Sequence, residues 1–259
     1  MAEKKDLNLL VSSIEKKGFC VVDSYLSADV VREFNSILDH EVSRSEQEHP
    51  YRNFDKCHIH DLFVRYPRFL EIVDDTFLDN LLANFIGEHW VLYAATSSSV
   101  PPGKKNFASR VHVDSPRFVP GYAFNMGVIW TLSDYTIENG CLEVMPYSHL
   151  EANEPALEVF ERKKIKVICE KGSLIIFNAR VFHRTTPNNS KHWRHALTMN
   201  ACRSFMKQRM DWVQFFGTDY VAGLNNRLKR VIGYDTRVPS NMDEYSQPEK
   251  FRFYKSNQG

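Results

Sequence analysis

The sequence has 259 residues, 43% of them hydrophobic and 25% charged, a profile that excludes disordered, fibrous and membrane-embedded classes. Its 33 Lys and Arg nearly cancel 32 Asp and Glu, so no broad field of one sign exists to attract nucleic acid or an anionic membrane surface, and a small-molecule partner is expected. The start of the chain has no apolar run of signal-peptide or membrane-helix length, and a cytoplasmic protein is expected. Five cysteines, Cys20, Cys57, Cys141, Cys169 and Cys202, are odd in number and lack a CxxC pair, which argues for reduced thiols rather than a disulfide framework or structural zinc. No Pro/Gly/Ser-rich linker divides the chain, and residues 1–259 read as one domain.

Asn8 to Lys16, stopped by Lys17-Gly18, predicts a short opening helix. Phe19 to Val22 then reads as a brief strand, and Ser27 caps a helix with a core stripe at Val30, Val31, Phe34, Ile37 and Leu38. A further helix is predicted from about Phe69 to Phe85, with Pro67 before it and Gly87 after it. From His89 the pattern changes to strands: Trp90–Ala95, Phe124–Leu132, Cys141–Pro146, Lys164–Cys169, Ser173–Asn178 and His195–Cys202. Turn signals separate them, Asn139-Gly140 and Lys171-Gly172 being the clearest. Short strands without alternating long helices predict a mainly β fold with flanking helices, an antiparallel double-sheet jelly roll or cupin-like barrel over about 89–205. After Arg203 come the aromatic residues Trp212, Phe215 and Phe216, readable as core, dimer contact or lid, and a helix around Val221 to Arg230.

Arg110-Val-His112-Val-Asp114 contains a His-x-Asp pair, and in extended backbone two residues separated by one point to the same face. His183 follows the apolar strand Leu174–Phe177, whose end is placed to deliver it to the same ion. Two histidines and a carboxylate form the facial triad of non-haem iron(II) oxygenases, which leaves coordination positions open. The pair alone is weak evidence, because ten histidines and 15 aspartates supply about 0.6 such pairs by chance, and His149-Leu-Glu151 competes with it. Arg194 distinguishes them. A 2-oxoglutarate enzyme needs a cation for the distal carboxylate of its cosubstrate, and Arg194 opens the next strand, 11 residues beyond His183.

These residues resemble the phytanoyl-CoA dioxygenase (PhyH)-like family of Fe(II)/2-oxoglutarate-dependent oxygenases. The resemblance runs from Lys17-Gly18-Phe19 through His60-Asp-Leu-Phe-Val-Arg65 and Pro102-Gly-Lys-Lys105 to His112-Val-Asp114. It continues with Trp130, Glu138-Asn-Gly-Cys-Leu-Glu-Val-Met-Pro146, Ser148-His149, Gly172-Ser-Leu-Ile-Ile-Phe177, His183 and Arg194. It implies a double-stranded β-helix in which His112, Asp114 and His183 hold iron(II), with 2-oxoglutarate and O2 as cosubstrates and Arg194 pairing the distal carboxylate. Trp130 is similar to the family's cosubstrate-site aromatic, and Asn125 and Thr185 are further candidates to reach the cavity. The resemblance makes the Pro146–His149 segment scaffold, which demotes the competing His149 pair.

The implied reaction is hydroxylation of an unactivated C–H bond with release of succinate and CO2. Asp114 favours that outcome, since related halogenases carry a small residue at the carboxylate position; desaturation or ring formation remains open. Nothing in Ser115-Pro-Arg117-Phe-Val-Pro120 spells out a substrate, and a monomer or homodimer fits equally. Arg117 and Lys104-Lys105 read as solvated cations, and Cys57-His58-Ile59-His60 matches no standard zinc spacing. Two alternatives stand beside the oxygenase: a jelly-roll metal-binding protein without catalysis, and a metalloenzyme that does not use 2-oxoglutarate. Nucleic-acid demethylation is weaker, because no basic stripe accompanies the neutral charge balance.

Overall fold

The computed structural model of the chain describes residues 6–48 and 58–252. Helix α1 (Leu7–Lys17) starts where the Asp6 carboxylate accepts from the Asn8 amide, and it ends at Gly18 in the left-handed conformation. Gly18 is needed twice, for its φ of +91° and because a Cβ there would collide with Val181 and His149. Strand β1 (Phe19–Val22) follows, then α2 (Ala28–Glu48), which buries Val31, Phe34, Leu38 and Val42 at the helical spacing of three to four residues.

The helix expected over Phe69–Phe85 is interrupted. After α3 (Leu62–Arg65) a 3-10 turn occupies Pro67–Leu70, and α4 spans Thr76–Ile86. Asp75 makes the break, because its extended backbone and side chain cap the Leu78 amide at 2.8 Å and start a new helix there.

The strands β2 (Val91–Ser97), β3 (Asn125–Thr131) and β4 (Leu142–Val144) precede α5 (Leu157–Lys163). Then come β5 (Ile165–Val167), β6 (Leu174–Asn178), β7 (His183–Thr185) and β8 (Ala196–Cys202). Two antiparallel sheets result, one of five strands in the order β1-β6-β3-β8-β2 and one of three in the order β5-β4-β7. β1 belongs to the larger sheet, so the strand framework begins well before residue 89. The C-terminal part holds α6 (Trp212–Phe216), α7 (Thr218–Ala222), α8 (Asn226–Ile232) and α9 (Met242–Tyr245).

Among the described residues more lie in helices than in strands, so the chain is a mixed helix and antiparallel-sheet protein rather than a mainly β one. The reason is local: α2 runs for 21 residues, and the expected helix around Val221 becomes two, because Gly223 closes α7 and Asn225 caps α8. None of the described helices is long and apolar enough to cross a membrane.

Strand alternation divides the core. Met126, Val128 and Trp130 of β3 pack with Phe34, Leu38, Leu78, Leu81 and Trp212 in the cluster between the larger sheet and the helices. Ile129 points the other way and joins Phe177, Leu142, Val144 and Val167 in a cluster between the two sheets. Trp212 is buried in the first cluster with Phe216 packed against it, so this aromatic segment is core, while Phe215 stays exposed.

The helical layer also buries one carboxylate, Glu41, which accepts from Tyr66 Oη at 2.6 Å and pairs with Arg44 at 2.9 Å and with Arg65. Burial alone would raise its pKa, but the hydrogen bonds from Arg44, Tyr66 and Arg65 outweigh that and hold it down at about 2.

Candidate metal centre

The His-x-Asp segment precedes β3, with His112 in an isolated bridge and Asp114 at a bend, and the two side chains converge, His112 Nε2 lying 3.6 Å from Asp114 Oδ1. An antiparallel bridge joins His112 to His183, with the amide of each donating to the carbonyl of the other at 3.0 Å. A directly opposed pair puts both side chains on one face, which is how two histidines 71 residues apart in sequence reach ring centroids 4.3 Å apart. His183 opens its own strand, β7 of the smaller sheet, instead of ending β6. The turn at Ala179–Arg180 carries the chain from one sheet to the other, and Ala179 O accepts both the Asp114 and Ser115 amides at 2.9 and 3.1 Å.

Each imidazole is oriented from behind. Nδ1 of His112 donates to Arg110 O at 2.8 Å, and Nδ1 of His183 donates to Val181 O at 2.9 Å, so both Nε2 lone pairs face inward. Asp114 Oδ1 lies 3.6 Å from His112 Nε2 and 3.8 Å from His183 Nε2. The three ligand atoms lie within 4.8 Å of one another, a donor set suited to a divalent ion. Burial, reinforced by the neighbouring His183, lowers the pKa of His112 to about 4 against the opposing pull of Asp114, so its imidazole is neutral and free to ligate near pH 7.

Gly127 has a structural role in this site. The Phe177 ring covers Gly127, where a Cβ would come within 2.1 Å of it, and the same ring meets His183 edge-on at 4.9 Å. Only a residue without a side chain lets Phe177 brace the histidine.

Arg194 precedes β8 and is bridged to Val100. It is 1% exposed; Nη1 donates to Tyr135 Oη at 2.6 Å and to Ser98 O at 3.3 Å, while Nε and Nη2 have no partner. Its guanidinium lies 4.6 Å from the Tyr135 ring centroid, and Tyr135 shares the inter-sheet cluster with Phe177. Burial raises the Tyr135 pKa, with Arg194 opposing, so the phenol remains a neutral hydrogen-bonding group. Asn188, fully buried, bonds Val100 O and His192 O at 3.0 and 2.8 Å and ties down the connection that delivers Arg194.

Thr185 lies two residues along β7 from His183 and shares its face. Asn125 also faces inward, and its Nδ2 donates to Asn200 Oδ1 at 2.8 Å. Trp130 does not join this group. Five residues after Asn125 on the same strand, it points to the opposite face and is fully buried against the helices, which corrects its expected place beside the cosubstrate. The competing histidine, His149, sits against α1, its Nε2 donating to Glu15 O at 3.1 Å, and Glu151 points to solvent. Lys104, Lys105 and Arg117 are exposed; Ile59 is buried in the helical-side core, and Cys57 lies outside the described residues.

Sequence reasoning missed Tyr135, which contacts Arg194, and Asn200, which contacts Asp114. Tyr135 gave one signal, an aromatic hydroxyl just before the Glu138-Asn139-Gly140 turn; Asn200 gave none beyond being a polar residue in an apolar strand.

The family model described as phytanoyl-CoA dioxygenase (PhyH) matches residues 14–196, more than half of the chain and all of the metal-facing side chains. The chain belongs to that family. A Mycobacterium tuberculosis relative, the uncharacterized protein Rv1501, is 29% identical over 197 residues, 76% of this chain and 71% of its own length. Among solved structures, EvdMO1 superposes with a TM-score of 0.62 at 21% identity, over 76% of this chain and half the length of that one. HygX of Streptomyces hygroscopicus, solved with nickel and 2-oxoglutarate, gives 0.59 at 16% identity over 81% of this chain and 93% of that one. These likenesses show that the chain shares the fold of those structures.

Proposed function

We propose that this PhyH-family chain is an iron(II)- and 2-oxoglutarate-dependent oxygenase that hydroxylates an unactivated C–H bond of a small molecule, its two sheets closing as a double-stranded β-helix within a single domain. One observation carries the reading: Arg194 is a buried cation with two unpartnered nitrogens, and among the described residues no carboxylate pairs with it. An uncompensated buried guanidinium is costly, and a dicarboxylate cosubstrate removes that cost by accepting from Nε and Nη2. HygX, which binds 2-oxoglutarate on the same architecture, supports the assignment.

In this reading His112, Asp114 and His183 hold the iron, and Arg194 with Tyr135 receives the distal carboxylate of 2-oxoglutarate. Thr185, on the face shared with His183, lines the space between. Bound together, iron(II) and 2-oxoglutarate supply oxidative decarboxylation to succinate and CO2, with one atom of O2 inserted into a substrate C–H bond. The protein binds and orients: carbonyls fix both imidazoles, the sheets exclude water from Arg194, and three protein ligands leave room for cosubstrate and oxygen.

The test is anaerobic titration of the apoprotein with iron(II) and 2-oxoglutarate, read by the visible charge-transfer band of the chelate. The band is expected in the wild type, absent in His183→Ala, and in Arg194→Ala to require at least tenfold more cosubstrate. A folded, iron-loaded wild type without the band overturns the proposal.

A further inference from the structure

Asp114 presents only one oxygen to the two histidines. Oδ1 is the atom 3.6 and 3.8 Å from their Nε2 nitrogens, whereas Oδ2 accepts from Asn200 Nδ2 at 3.3 Å. Asn200 is itself oriented, because Asn125 Nδ2 donates to its Oδ1 at 2.8 Å. The direction of this chain follows from the acceptor at its end: a carboxylate has no proton to give, so the Asn200 amide must turn its nitrogen to Asp114 and its oxygen to Asn125. The opposite orientation would set an amide oxygen against a carboxylate oxygen.

The register explains why these residues meet. Asn200 pairs with Gly127 across β3 and β8, so Asn125 is its diagonal neighbour on the same face. Asn125 is buried, its carbonyl accepts from the Ala179 amide at 3.2 Å, and Ala179 O in turn holds the Asp114 and Ser115 amides. Backbone and side chain of Asp114 are therefore fixed from the same end of β3.

We infer that Asn200, held by Asn125, is a positioning residue that keeps Asp114 a one-oxygen ligand and preserves an open coordination position on the metal. The inference rests on the iron-site reading above. Oδ2, engaged by Asn200, stays off the ion; released, it is free to rotate toward the ion and occupy a position meant for cosubstrate or oxygen. Hydrogen-bonded groups behind a ligand typically change metal affinity about 10–100-fold when removed.

The test compares wild type, Asn200→Leu and Asn125→Ser in anaerobic iron(II) titrations against a competing chelator, together with visible spectra of the cobalt(II)-loaded proteins. Leu keeps the branched skeleton of Asn without its donor, and Asn125→Ser leaves Asn200 present but unanchored should the first variant fold poorly. The expected result is iron(II) affinity reduced about tenfold in Asn200→Leu and less in Asn125→Ser. The cobalt spectrum should shift in both, with melting temperatures close to wild type. Iron binding and cobalt spectra that match wild type in both variants overturn the inference. A wild type that binds neither metal overturns the iron-site reading itself, which separates the two failures.

Discussion

The two faces of β3 and β8 do opposite jobs within the same strands. Toward the helices, Met126, Val128, Trp130, Leu197, Met199 and Ala201 form a closed apolar surface with Trp90 and Trp212. Toward the smaller sheet, the same strands present Asn125, Gly127 and Asn200, beside a half-exposed carboxylate and two histidines. Alternation puts stability on one face and chemistry on the other, so a one-residue slip in register would destroy both. Strands braced by a full core hold Asn125, Gly127 and Asn200 in place behind the His112–Asp114–His183 group.

The contrast makes substitutions on the two faces separable. Trp130→Ala, on the helical face, should cost about 3–5 kcal/mol of stability, visible as a lower urea midpoint, while the folded fraction still binds iron(II) normally. Loss of metal binding at unchanged stability would show that Trp130 belongs to the site after all. Gly127→Ala, on the other face, should cost about 1–3 kcal/mol by displacing the Phe177 ring, and should weaken iron binding as well, because that ring braces His183. Arg194→Met should move the two properties in opposite directions. Removing an unpaired buried cation is expected to stabilise the cosubstrate-free protein by about 1 kcal/mol while weakening 2-oxoglutarate binding at least about tenfold, checked by melting with and without the cosubstrate.

A further expected effect is on pH dependence. Burial holds His149 and His195 below the ordinary histidine value of 6.5, only partly offset by the Glu15 carbonyl and by Asp39 respectively. Below 6.5 the unfolded chain therefore binds more protons than the folded one, and stability should decline as pH falls from there. Glu41 adds a separate acid loss: its contribution is complete above 4.5 and disappears as pH falls toward 2. Melting curves between neutral and acid pH should show both slopes, and His195→Gln should flatten the first.

Much of this was legible in advance, for reasons specific to each segment. Strand β3 carries its own period and appears within one residue of the expected range, as do β1 and β8. β7 was missed because three residues, His183–Thr185, are too few to carry a period; only the pairing with β4 makes them a strand. The helix expected over Phe69–Phe85 failed at Asp74-Asp75, where a cap interrupts a continuous apolar pattern.

Residue types and spacings alone pointed to the His112–Asp114–His183 group that the structure brings together, and to the near-neutral charge balance of the chain. Those properties are written in local chemistry: a His-x-Asp pair shares a face wherever its backbone is extended. Only tertiary structure decided that Trp130 faces away from the site, that Tyr135 meets Arg194, and that Asn200 reaches Asp114. Each depends on which strands become neighbours and in what register, a long-range choice set by the packing of the whole core rather than by any one segment.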